Sequence, residues 1–141
     1  MTRRALVLLA LIALMVAAAA AVATAAQDHA KSNLEPVGGS GIDGKVHLGQ
    51  LTSGGTRILV QARGLTPGNE YISLYYDSDN PTCQIEQYEE DDVIGGTTYT
   101  ANPGGNAHIS GVAEDDLDEI GSVSVRSAET FELLACARVD H

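Results

Sequence analysis

From residue 44 to the C-terminus, apolar and polar residues alternate in short runs broken by glycine and proline. A period of two buries one face of an extended strand and gives a helix no buried stripe. In residues 44–50, Val46 and Leu48 share one face while Lys45 and His47 share the other. In residues 56–63, Ile58, Val60 and Ala62 oppose Arg57, Gln61 and Arg63. Residues 70–77 set Ile72 and Leu74 against Ser73 and Tyr75. Further strands are expected at 97–100, 107–112, 120–126 and 133–139. Turns separate them. Gly54-Gly55 is one, and Leu65-Thr66-Pro67-Gly68 places Pro and Gly where a type II turn needs them. Asn102-Pro103-Gly104-Gly105-Asn106 marks a hairpin. Seven to eight such strands predict an all-β domain, either a sandwich or a closed barrel. With no tryptophan and one phenylalanine, its core must be built mainly from Val, Ile, Leu and Ala.

The N-terminus follows a different rule. Arg3 and Arg4 precede an apolar run from residue 5 to about residue 22, and Ala23-Thr24-Ala25 has the small-x-small form of a cleavage site. Residues 1–26 therefore read as a signal-peptide helix, and its removal leaves no stable membrane anchor. Residues 27–41 are polar and end in Gly38-Gly39-Ser40-Gly41, which reads as a flexible leader. Residues 42–141 remain as a single β domain, secreted or periplasmic. Cleavage leaves 6 basic residues against 19 acidic ones, a net charge of −13. A surface this acidic disfavours nucleic acid and anionic lipid, and it suits a basic partner or a hard cation. Cys83 and Cys136 are the only cysteines, and in an exported domain an even pair reads as a disulfide.

Several segments then fall in a telling order. Gly64-Leu65-Thr66-Pro67-Gly68 leads into a strand, Asp77 and Cys83 follow, and Leu134-Ala135-Cys136 stands near the C-terminus. Over about residues 44–139 this series resembles the copper–zinc superoxide dismutase family. The resemblance implies a Greek-key β-barrel with a Cys83–Cys136 bridge. It also implies where metal ligands would stand. The family's His-x-His pair falls on Ser73-Leu74-Tyr75, its bridging histidine on Glu89, and its late ligand histidine on Arg126-Ser127. The family's channel arginine falls on Leu133. A redox copper ion needs several imidazole donors, and none of these positions supplies one. The expectation is a relative that keeps scaffold and disulfide without a dismutase centre, because fold alone does not carry activity.

His29, His47, His108 and His141 show no chelating spacing, and His47 and His108 are expected on outward strand faces. Asp77-Ser78-Asp79-Asn80 alternates oxygen donors. An EF-hand needs Gly at position six and Glu at twelve, where Thr82 and Tyr88 stand. If the acidic loops fold together, the calcium candidates are Asp77, Asp79, Asp115, Asp116 and Asp118. No serine has the context of a nucleophile, so no catalytic residue and no cofactor is assigned. The candidate binding face is Glu70, Ser73, Tyr75 and Arg126, opposite the expected core residues Ile72 and Leu74. The expected function is an exported, non-enzymatic binding, interaction or structural module outside the cytoplasm. The alternatives are a divergent metal-binding superoxide dismutase and a calcium-binding extracellular module.

Overall fold

A computed structural model describes residues 28–85 and 92–141. The expected signal peptide and Glu89 lie outside the described residues. Nine strands form: β1 (His29–Pro36), β2 (Asp43–Gln50), β3 (Thr56–Arg63), β4 (Glu70–Ile72), β5 (Tyr75–Asp77), β6 (Tyr99–Thr100), β7 (Ala107–Ala113), β8 (Ile120–Ser127) and β9 (Leu133–Arg138). Two short 3-10 turns, Ile94–Gly96 and Leu117–Glu119, are the helical elements among the described residues.

The strands join in the order β6-β4-β8-β9-β1-β2-β3-β7, with every pairing antiparallel. β4 and β5 lie end to end along β8 and share one stave, so eight staves result. β6 and β7 lie against one another without a hydrogen-bonded ladder, which leaves the barrel nearly closed. Closure suits a small all-β domain because it removes the exposed edges that would pair with other chains. This architecture is the expected all-β barrel and is compatible with a superoxide dismutase-like fold.

The interior follows the alternation in β2 and β3: Val46, Leu48, Ile58, Val60 and Ala62 point inward and are buried. Across the barrel, Val123 and Val125 of β8 and Ala135 and Ala137 of β9 meet them. Close approach fixes two glycines. A Cβ at Gly121 would sit 2.3 Å from the Asp77 carbonyl, and one at Gly111 would sit 2.4 Å from the Gly95 nitrogen. The first lies at the bulge between β5 and β8. The second lets the Ile94–Gly96 turn lie on β7.

Two sequence expectations change. Residues 29–36, expected within a flexible leader, are β1. It pairs with β2 through residues 29–34 and with β9 through Glu35 and Pro36, so it joins the two halves of the barrel. Its inward residues are Ala30, Ser32 and Leu34, and Leu34 alone is fully buried. Small side chains beside a crowded neighbour give a weak hydrophobic signal, and two flanking backbones supply the ladder instead. The second change is parity in residues 70–77. The strand breaks between Ile72 and Tyr75, and Tyr71 and Tyr75 enter the barrel core. Leu74 and Tyr76 pack outside it, in a second apolar cluster with Cys83, Ile72 and Leu133.

Candidate functional site

The second cluster exists because β8 is covered on both faces. Its residues 120–126 are all buried. Val123 and Val125 face the barrel, while Ser122, Ser124 and Arg126 face outward beneath the segment that carries Cys83. Buried polar groups need partners, and here each has one. Ser122 Oγ donates to the Asn80 carbonyl at 2.5 Å and accepts from the Cys83 amide at 3.2 Å. Ser124 Oγ lies 3.0 Å from the Tyr76 phenol. Among the described residues no buried side-chain nitrogen or oxygen lacks a partner.

Arg126 ends this ladder and is 2 % exposed. Its Nε donates to the Tyr76 phenol at 2.9 Å, Nη1 to the Phe131 carbonyl at 2.9 Å, and Nη2 to the Cys83 carbonyl at 2.7 Å. The guanidinium carbon also lies 5.1 Å from the centre of the Phe131 ring, a cation–π distance. Cys83 (φ 55°) and Phe131 (φ 63°) are the non-glycine residues with left-handed backbone among those described. Such residues persist only where their surroundings hold them. One guanidinium grips the carbonyls of both. Cys83 is also bonded to Cys136, with Cα atoms 6.0 Å apart at a sequence separation of 53. The disulfide and Arg126 thus hold the same loop from two sides.

The expected binding face is therefore not a face. Ser73 and Tyr75 are buried toward the barrel interior, and Arg126 is buried on the opposite side of the sheet. Glu70 is exposed and lines an open cleft at one barrel end with Glu129 and Glu132. Ser73 Oγ lies 2.7 Å from the Tyr99 phenol, and burial pushes that phenol up to about 12, against the lowering effect of Ser73. These side chains do not fit copper or zinc. The set is a hydroxyl, a phenol and a cation already engaged in hydrogen bonds, whereas copper in both oxidation states takes neutral imidazoles.

The acidic residues divide between two clefts at the other end. Asp77, Asp79 and Asp115 line one with Ser78 and Glu119. Burial and then the neighbouring carboxylates, Glu119 first, push the Asp115 carboxyl above its ordinary range. Asp116 and Asp118 line another cleft, with Asp28, His29, Asp140 and His141. Asp116 serves as a latch. Its Oδ1 accepts from Gln50 Nε2 at 2.6 Å and from the Gly55 amide at 2.9 Å, which lowers its pKa. It also forms a reciprocal capping box with Glu119. Among the described residues no three His, Cys, Asp or Glu side chains converge as metal ligands do.

Sequence reasoning missed Tyr76, Ser122 and Ser124. The signal was present in Ser122-Val123-Ser124-Val125-Arg126, where valines alternate with small uncharged hydroxyls. Small hydroxyls on a strand's second face mark a surface that will be covered. Among the described residues no helix is long and apolar enough to cross a membrane. The disulfide is the kind of bond that persists in an oxidising, extracytoplasmic setting. No protein-family model matches the chain, and no curated protein matches it either.

Proposed function

We propose that this chain is an exported, non-enzymatic β-barrel that works as a binding or structural module outside the cytoplasm, a divergent relative of copper–zinc superoxide dismutases. The observation that carries this reading is the engagement of Arg126. At a position where the resembled family ends a strand in a ligand histidine, this chain places a buried cation that grips the Cys83 and Phe131 carbonyls. A guanidinium cation repels a metal ion. The His-x-His equivalents, Ser73 and Tyr75, are committed to the interior. The test is direct. Purified protein is incubated with copper and zinc, desalted, and assayed for superoxide turnover. The reading expects none above free-metal controls, and turnover that survives desalting would refute it.

A second reading takes the module as calcium-responsive. Its motive is the gathering of Asp77, Asp79, Asp115 and Glu119 on one cleft, with Asp115 raised by burial and then by neighbouring carboxylates, Glu119 first. Hard cations take oxygen donors of this kind. Calcium at millimolar concentration should then raise the melting temperature of the wild type and leave an Asp115→Asn variant unmoved. An identical shift in both proteins, or none in either, removes this reading.

A further inference from the structure

The acidic charge of the chain is not spread evenly. The register of β1, β2, β3 and β7 lines up outward side chains in rows across four strands. One row is His29, Gly49, Arg57 and Val112; the next is Lys31, His47, Leu59 and Ser110. A third is Asn33, Lys45, Gln61 and His108. These three rows hold Lys31, Lys45 and Arg57, three imidazoles and three neutral hydrogen-bonding side chains, and no carboxylate. Lys31, Lys45, Arg57, Gln61 and His108 are exposed. Beyond the third row Arg63 pairs with Asp43 at 2.9 Å, and Glu35 closes the β1 end. Three of the chain's 8 lysines and arginines thus lie in these three rows, in a chain with 19 acidic residues. Strands are about 4.8 Å apart, so the wall is about 15 Å across. The acidic loops sit at the barrel ends, and at physiological salt their field fades over about 8 Å.

We infer that this outer wall of β1-β2-β3-β7 binds an acidic polysaccharide. Three cations without an opposing carboxylate complement sugar-borne anions. The interleaved Asn33, Gln61, Ser110 and imidazoles supply donors and acceptors suited to hydroxyls. Other polyanions fit less well. The wall has no Phe, Tyr or Trp side chain, the larger platforms on which a nucleic-acid base would stack. Its apolar residues are Leu59, half-buried, and Val112, too few to seat in a bilayer. The inference rests on the reading of the barrel as a binding module and names its partner.

The test uses the full exported chain and polygalacturonate as the probe, with neutral dextran as control, by affinity electrophoresis at about 0.1 M salt. The wild type should be retarded by polygalacturonate and not by dextran. A Lys31→Gln/Lys45→Gln/Arg57→Gln variant should bind about tenfold more weakly, since three exposed cations are each worth some tenths of a kcal/mol. Its melting temperature should stay close to that of the wild type, because all three side chains are solvated. Undiminished binding by a folded variant would overturn the inference. So would equal retardation by dextran, tighter capture by single-stranded DNA or anionic vesicles, or self-association in place of binding. Dismutase turnover would defeat the module reading alone, whereas these outcomes concern only the wall.

Discussion

Arg126 spends its three hydrogen bonds on a phenol and two carbonyls, and both carbonyls belong to residues in left-handed backbone. Hydrogen bonds to charged groups are worth more than neutral ones, and unmaking them in a buried site strands the partners. Arg126→Ala should lower the unfolding free energy by about 3 kcal/mol in urea titration. Arg126→Lys should recover little of it, because one ammonium cannot span three acceptors held in a fork. A lysine variant as stable as the wild type would show that charge matters and geometry does not. Asp115 and Asp116 oppose one another. The Asp115 carboxyl is raised in the fold, so its charge is destabilising above that titration and the penalty vanishes as pH falls below the ordinary carboxylate range. Asp116 is lowered, so its contribution is present above the ordinary range and is lost as pH falls through its folded value. At neutral pH, Asp115→Asn should raise stability by about 0.3 kcal/mol, the scale of exposed charges. Asp116→Asn should lower the melting temperature, and both differences should shrink in thermal scans at pH 3.

At the scale of elements, β1 carries the clearest consequence. It is the stave between β2 and β9, so removing residues up to 41 should leave two open edges and an aggregating or unfolded product. Leu34→Ala in the intact chain should cost about 2–4 kcal/mol, as for other large-to-small changes in cores. A truncated chain with native circular dichroism and a monomeric size would contradict the barrel as described. β2 and β3 were legible in the sequence because each buries one face, so alternation of Val46-His47-Leu48 or Val60-Gln61-Ala62 reports directly on the core. β1 was not, because Ala30 and Ser32 bury little area and its partners are distant in sequence. The parity of residues 71–76 was misread for another reason. A strand covered on both faces shows no alternation between apolar and polar, so half-buried Ile72 and buried Leu74 look like core beside buried Tyr71 and Tyr75. The site suffered most, since Ser73, Tyr75 and Arg126 were placed together on a surface and lie on two sides of a sheet.

At the scale of the molecule, a covalent tie across the second cluster pins the Cys83 segment to β9. The Cys83–Cys136 bridge closes 53 residues of sequence separation, which the chain-entropy account values at about 4 kcal/mol. A Cys83→Ala/Cys136→Ala variant should therefore melt roughly 15 °C lower in calorimetry. An unchanged melting temperature would mean that Arg126 and the cluster hold the loop unaided. The loop covers a hydrogen-bonded clamp at Arg126, which on the proposed reading stands where the resembled family holds a metal. Elemental analysis of the protein isolated from its native exported compartment tests this most directly. The account predicts less than a tenth of an equivalent of copper, on the order of adventitious binding. One equivalent of copper per chain, retained through purification, would contradict it.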